Sequence, residues 1–535
     1  MLVGDIARRN AAFFGDADAL IDAASGRCST GAQLDARANQ FARALHDLGL
    51  HKRDRVAIFA PNCGEYLDFF FGCARAGVIG AAVNIRLSAA EIAKYLRHVE
   101  PSAAIVHGSL AARAEEWLGE VPSIRHVIRI AAPGEGASGR DLEQMLAAQE
   151  PSDPGYRVDE RDPYQLAATS GTTGHPKAAV LTHRNAIAAM LNWAAELPIA
   201  ERGTYLQCIP MFFNPGGPAG VHPVFLKGGR SVIHPAFDPA VYLRAVANFG
   251  VTHSVLVPTM VRIVLDQSDC ADHDTSSLRA IVVGGSPLPR TLLAAARERF
   301  GDVLFPFYGM AESYSSGMVL RREEQFTEGT DAQLRHLFSA GRPMAQIDVR
   351  VVDDAGHDVP HDNTSAGEIW MRGANVSREY FRMPEETALV HEGEWLKSGD
   401  VAVVDAEGFV TIVDRSKDII ITGGINVYSR EVEQALEAHP SVAAVAVIGV
   451  PHERWGEAIH AVVVLNEGAA AGNDELLRFA AARLASFKKP LSLEFVDALP
   501  VTATGKVLKR RLRQPHWSAT AARSSDQVGE LEQSA

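Results

Sequence analysis

Apolar residues recur in two rhythms that alternate along most of this chain. In STGAQLDARANQFARALHDLGL, Leu34, Ala38, Phe41, Ala42, Leu45 and Leu48 repeat at the spacing of one helical face. Thr30 and Gln33 precede them as a capping box. DRVAIFAPN follows as a short apolar run bounded by turn residues, which predicts a buried strand. Strand-like SAAIVHG, THSVLVP and RAIVVGG continue the alternation, with helical stretches such as LLAAARERF among them. Strands interleaved with helices predict an α/β fold with a largely parallel sheet.

The pattern changes after Asp414. SREVEQALEAHP predicts a compact helix with Val432, Ala435 and Leu436 on one face and Ser429 as its N-cap. SVAAVAVIGVP and AIHAVVVLNE read as strands and DELLRFAAARLA as a second helix, enough for a small α/β domain. The expected organisation is a large N-terminal domain over 1–414, a linker at Arg415 to Lys417, a C-terminal domain over 418–512 and a flexible tail over 513–535. The tail turns small and polar after Trp517.

Length agrees with this division, because 535 residues exceed what one core usually organises. An apolar share of 47% with 22% charged residues is that of a globular protein. The net charge of -13 argues against a nucleic-acid partner, whose footprint is normally basic. Five cysteines without paired spacing indicate neither a disulfide framework nor a metal knuckle, and suit free thiols in a reducing cytoplasm. MLVGDIARRN carries an acid and two arginines where a signal peptide needs an unbroken apolar stretch. YLDFFFGCARAGVIGAAVNI contains Asp68 and Arg75, which speaks against a transmembrane helix. A cytoplasmic location is therefore expected.

The candidate chemistry begins at TSGTTGHPKAAV, Thr169 to Val180. Backbone amides exposed by glycine, hydroxyl donors from Thr and Ser, and one lysine charge make a cradle for phosphate oxygens. A solvated turn would have the same composition. A Walker A loop is excluded, since Pro176 stands where its last glycine should precede the lysine.

The string resembles the phosphate-binding loop of the adenylate-forming superfamily, which includes acyl-CoA synthetases, adenylation domains of peptide synthetases and luciferases. Its usual form, Ser-Gly-Thr-Thr-Gly-x-Pro-Lys-Gly, is matched by Ser170, Gly171, Thr172, Thr173, Gly174, Pro176 and Lys177, with Ala178 in place of the final glycine. Further resemblances follow in the family's order. GGSPLP, with Gly284, Gly285 and Ser286, resembles the adenine-side loop. YGMAES, with Tyr308, Gly309, Met310, Ala311 and Glu312, resembles Tyr-Gly-x-Thr-Glu. WLKSGD supplies Asp400 for the ribose, DRSKDIIITGG supplies Arg415 near ribose and phosphate and Lys417 at the pivot, and PVTATGK supplies Lys506. VPHERWGEAI resembles a CoA-ligase segment whose tryptophan lies along pantetheine. Trp455 takes that role or packs in a core.

The resemblance implies a multi-layer N-terminal domain, holding ATP and an acyl pocket, and a mobile C-terminal domain. It also implies an AMP-forming reaction. A carboxylate attacks the α-phosphorus of ATP, with Glu312 and Thr169 at Mg²⁺ and with Thr169, Lys177 and Lys506 assisting. The small domain then turns about Lys417, and a CoA thiol passes Gly423, Gly424 and Trp455. Phe212, Phe213, Gly216, Val221 and Gly284 are the expected acyl-pocket residues. No aspartate for a substrate ammonium occurs from Pro210 to Gly220, and Phe213 replaces a usual histidine. An apolar fatty, alicyclic or aryl acid is therefore expected. Ala311 lacks a hydroxyl the family often has, and Ser429 replaces a common proline. Two other readings stay open: an acyl-AMP ligase loading a carrier protein, and a nucleotide-responsive binding protein without catalysis. The resemblance allows a homodimer without marking an interface.

Overall fold

The computed structural model describes residues 1–132, 139–169, 177–213, 218–286, 288–326, 328–501 and 507–517. The chain divides into two compact units, one of Met1–Val349 with Trp370–Lys397 and one of Arg350–Ile369 with Ser398–Ala535.

The first unit holds two sheets. In the nine-stranded sheet, Leu304–Tyr308, Ala280–Val283, His253–Leu256, Thr204–Gln207, Arg230–Ile233 and Asp18–Asp22 run parallel in that order, with antiparallel strands at the edges. In the six-stranded sheet, His126–Ile130, Ala103–His107, Arg55–Phe59, Ile79–Ala82 and Pro163–Thr169 are parallel. Lys177–Thr182 then returns antiparallel to Pro163–Thr169. The predicted α/β alternation is thus built as two largely parallel sheets.

Helix Gly31–Asp47 starts at the predicted capping box, where Thr30 and Gln33 bond each other's backbone amides. It buries Leu34, Ala38, Phe41, Ala42 and Leu45. Helix Glu65–Ala76 is buried at every residue from Tyr66 to Ala76, so the apolar run is a core helix of 12 residues. The two charges within that apolar run are paired. Asp68 accepts from Arg37 at 2.7 Å and from Arg27 at 3.3 Å. Arg75 donates to the carbonyls of Asp35 and Gly4 at 2.9 and 3.0 Å. Burying charge without such partners would cost several kcal/mol, of the order found when one partner of a buried pair is deleted. Four cysteines, Cys63, Cys73, Cys208 and Cys270, are buried free thiols, while Cys28 is exposed.

The second unit contains a sheet of Ile425–Val427, Ile420–Thr422, Gly456–Leu465 and Val442–His452, with Ser492–Phe495 also paired to Gly456–Leu465. Helices Ser429–Glu437 and Asn473–Ala481 bury Val432, Leu436, Leu476 and Ala480 against Ile420, Val447, Ile459 and Val463. Ser429 is not the N-cap the sequence predicts. It is the first helical residue, with Tyr428 before it, and its amide donates to the Asp414 carboxylate. A carboxylate from a preceding strand thus takes the role assigned to a local hydroxyl. The flexible tail expected over 513–535 starts later than that: 513–517 belong to a helical stretch, 509–517, where Arg513 donates to the Lys417 carbonyl, and 518–535 lie outside the described residues.

Candidate active site

Thr169 ends one strand of the six-stranded sheet and Lys177 opens the next, and the two face each other in register. Ser170, Gly171, Thr172, Thr173 and Gly174 lie outside the described residues, as do Gly216 and Lys506. The Lys177 ammonium pairs with the Glu386 carboxylate and sits 5.1 Å from the centre of the Tyr380 ring. Tyr380 comes from a segment that adds to the edge of Lys177–Thr182. The Val180 amide donates to the Glu379 carbonyl at 3.0 Å, and the Phe381 amide to the Ala178 carbonyl at 2.8 Å.

Parallel pairing of Ala280–Val283 with Leu304–Tyr308 brings two predicted motifs to the C-terminal ends of adjacent strands. Gly284, Gly285 and Ser286 follow the first strand. Tyr308, half-buried, ends the second, and Gly309 and Met310 lead into a one-turn 3₁₀ helix, Ala311–Ser313. Strand ends of this kind are where open α/β sheets bind ligands. Gly309 has no room for a side chain, because a Cβ there would lie 2.8 Å from the Ser315 carbonyl carbon. The Asn375 amide donates to the carbonyls of Ser313 and Ser316 at 2.8 and 3.1 Å. The Ser377 amide donates to the Glu312 carbonyl at 2.7 Å, which fixes the turn from a third side.

The Glu312 side chain is 6% exposed and accepts a hydrogen bond of 2.7 Å from the Tyr380 hydroxyl. Burial, with the Glu312 charge added to it, pushes the Tyr380 phenol well above its ordinary range, so it remains a donor. A buried hard-oxygen ligand fits Mg²⁺. Tyr380 and Glu386 are absent from the sequence-predicted set. No local motif marks them, and they reach the site through pairing with Lys177–Thr182.

An apolar cavity in the same unit is lined by Trp193, Tyr205, Val224, Val255, Val282 and Phe307, among others. Gly284 backs onto this wall, since a Cβ there would meet the Phe307 ring at 2.1 Å. Phe212 and Phe213 pack edge to face with ring centres 4.6 Å apart, and Val221 is buried. Trp193 and Phe307 escaped sequence reasoning because a core aromatic and a cavity aromatic have the same local pattern. Ala311 is partly buried against the main core.

In the second unit, Asp400 and Arg415 are cross-strand partners, and the Arg415 guanidinium lies 3.0 Å from the Asp400 carboxylate. Burial, with Arg415 nearby, lowers the Lys417 ammonium from its ordinary value. The Lys417 carbonyl accepts from Arg513 at 3.0 Å. Gly423 and Gly424 have φ of 59° and 80°, the left-handed region that favours glycine. The Gly423 amide donates to the Trp455 carbonyl at 2.8 Å. Trp455 is no core residue: it is 37% exposed and stacks on His452 with ring centres 4.6 Å apart.

Residues 7–381 match the AMP-binding enzyme family, and residues 431–506 match the AMP-binding enzyme C-terminal domain. This chain belongs to the AMP-binding enzyme family. A feruloyl-CoA synthase of Amycolatopsis sp is 37% identical over 489 residues, covering 91% of this chain and 94% of that protein. A long-chain-fatty-acid–CoA ligase of Mycobacterium tuberculosis, FadD13, is 31% identical over 496 residues, 92% and 93% of the two chains. Among solved structures, ATP-bound MatB from Rhodopseudomonas palustris superposes with a TM-score of 0.86 at 28% identity, covering 96% of this chain and 99% of that one. This AMP-binding enzyme is an adenylate-forming ligase of the acyl-CoA synthetase type. Among the described residues, no helix is long and apolar enough to cross a membrane.

Proposed function

We propose that this AMP-binding enzyme activates an apolar aromatic acid, of the cinnamic type ahead of long-chain fatty acids, and transfers it to CoA. The observation that carries the reading is a charged cluster, Lys177, Glu386, Tyr380 and Glu312, in the same unit as a cavity whose walls include Trp193 and Phe307. An aromatic-lined cavity suits a ring. The relative with the higher identity of the two described is named for an aromatic acid.

In the first half-reaction a carboxylate oxygen bonds to the α-phosphorus of ATP, and the bond to the β-phosphate oxygen breaks to release pyrophosphate. Thr169, the loop Ser170 to Gly174 and Lys177 hold phosphate oxygens, with Lys177 leaving Glu386 for the stronger anion. Glu312 would hold Mg²⁺ with Thr169 nearby, and the ion supplies positive charge to phosphate oxygens when bound. Lys506 steadies the attacking carboxylate. Gly284 to Ser286 and Tyr308 flank the adenine, and Asp400 accepts from the ribose hydroxyls beside Arg415. In the second half-reaction the CoA sulfur bonds to the acyl carbon and AMP leaves with the bonding electrons. Domain 418–512 turns about 415–417 between the steps, with Lys417 at the pivot. Gly423, Gly424 and Trp455 flank the thiol arm.

The test is release of AMP and pyrophosphate from ATP and Mg²⁺ with cinnamic, benzoic, alicyclic and fatty acids, with and without CoA. CoA-dependent turnover fastest on a cinnamic acid supports the reading. Pyrophosphate release that stalls at a bound adenylate in the presence of CoA overturns the choice of acceptor. Absence of pyrophosphate with every acid overturns the reading itself.

A further inference from the structure

We propose that His460, Glu494 and His516 form a binding site for a divalent transition-metal ion, with zinc the best fit, which ties the last described helical residues to the sheet of the second unit. Three separate elements supply the ligands. His460 lies on Gly456–Leu465, directly across from Ser492 in the parallel register with Ser492–Phe495. Glu494 is two residues beyond Ser492 and so projects from the same side of that strand. His516 comes from the helical stretch 509–517. One ligand atom from each residue falls within 4.8 Å of the others.

The decisive group is the imidazole of His460. It is 6% exposed, and its Nε2 is buried with no hydrogen-bond partner. Its Nδ1 is 2.7 Å from the Ser492 hydroxyl. That is the outer hydrogen bond that orients a metal-ligating histidine: with the proton on Nδ1 directed at an oxygen, the Nε2 lone pair is left for an ion. Without an ion, that lone pair faces the Glu494 carboxylate at 3.6 Å, beyond hydrogen-bond distance, an arrangement that a cation between them relieves.

Spacing agrees. His460 Nε2 is 3.6 Å from Glu494 Oε1. Two ligand atoms each about 2.0–2.2 Å from a tetrahedral zinc stand roughly 3.4 Å apart. The ring centres of His460 and His516 are 5.0 Å apart, near the roughly 5 Å expected for two imidazoles on one tetrahedral ion. Two imidazoles and one carboxylate suit zinc, nickel or cobalt rather than the all-oxygen preference of magnesium and calcium. The neighbouring Trp517 indole donates to the Gly449 carbonyl at 3.2 Å, which anchors the end of the helical stretch beside the site without metal.

The experiment uses the full chain, stripped with chelator and titrated with Zn²⁺ by calorimetry at pH 7.5, with Co²⁺ as a visible-absorption probe and a thermal melt as an independent readout. Glu494→Gln and His516→Ala serve as variants because both residues are at least partly exposed, so the metal-free Tm should hold. The expected result is one high-affinity Zn²⁺ per chain, a Tm raised by Zn²⁺, and binding at least about tenfold weaker in each variant with the Tm rise lost. No binding, or binding that survives both variants, overturns the site. None of these readouts depends on ligase turnover, so failure here leaves the proposed function standing and failure there leaves the site standing.

Discussion

The Tyr380 hydroxyl donates a 2.7 Å hydrogen bond to the Glu312 carboxylate, while the face of the same ring lies 5.1 Å from the Lys177 ammonium. One residue thus touches both the anionic and the cationic member of the candidate site. Tyr380→Phe keeps the ring and removes only the donor to Glu312. A hydrogen bond to a charged group contributes about 1.5–3 kcal/mol, so adenylation should slow by roughly ten- to a hundredfold. The measurement is ATP–pyrophosphate exchange, with Tm as the control for folding. An unchanged exchange rate would show that Glu312 needs no positioning by the phenol.

Asp400 and Arg415 face each other across two strands at 3.0 Å, with the carboxylate largely buried. Asp400→Asn keeps the shape but removes the charge and the stronger acceptor for ribose hydroxyls. KM for ATP should rise about tenfold or more, with at most about 1 kcal/mol lost from stability, since the Arg415 side is partly exposed. A stability loss with KM unchanged would make the pair structural only.

Asp68 should contribute to loss of stability in acid. Burial alone would raise its carboxyl, but Arg27 and Arg37 outweigh burial and hold it below the usual 3.8. The folded value lies below the unfolded one. The stabilisation is therefore present above about pH 4 and is lost as pH falls through the lowered folded value. Asp68→Asn leaves two arginines facing a neutral amide and should cost about 3–5 kcal/mol in urea unfolding at pH 7. A cost under about 1 kcal/mol would refute this account of the pair.

A second pH effect acts nearer neutrality. His222 is buried against Phe70 and Phe71, and burial pulls its imidazole down to about 3 from 6.5. His183 and His253 are pulled down to about 4, chiefly by burial as well. Each stays neutral in the fold and takes a proton when unfolded. Stability should be full above pH 6.5 and decline as pH falls below it, by about 1.4 kcal/mol per pH unit for each group. His222→Phe should flatten the decline by one such share, read from urea midpoints at pH 5 and 8. Parallel profiles for the two proteins would contradict the assignment.

At Gly423 the φ of 59° makes Ala a strained replacement, at roughly 1–2 kcal/mol. On the proposed path of the thiol arm past this backbone, Gly423→Ala should lower CoA-dependent thioester formation several-fold while leaving ATP–pyrophosphate exchange intact. Equal loss in both assays would assign the glycine to folding alone.

Periodicity alone was enough to read the strands Arg55–Phe59, Ala103–His107, His253–Leu256 and Ala280–Val283 and the helix Gly31–Asp47, because each is an uninterrupted apolar run or a single-faced stripe. Glu312, Asp400 and Arg415 could be singled out as candidates because each sits in a contiguous string of distinctive residues. Tyr380, Glu386, Trp193 and Phe307 were not. Their places depend on which distant strand pairs with which, and a phenol in SREYF or a tryptophan in LNWAAE looks locally like any surface or core aromatic. Ser429 failed as a cap for a related reason: Asp414, fifteen residues earlier, reaches its amide first.

The first unit is discontinuous along the chain, for it takes back Trp370–Lys397 after Arg350–Ile369 has gone to the second. During synthesis the strands through Val349 leave the ribosome before Tyr380 and Glu386 exist, so Glu312 and Lys177 wait without the partners they have in the finished fold. A nascent chain stalled before residue 380 would hold both sheets of this unit and an unfinished charge cluster, the stretch of translation in which a chaperone has the most to shield.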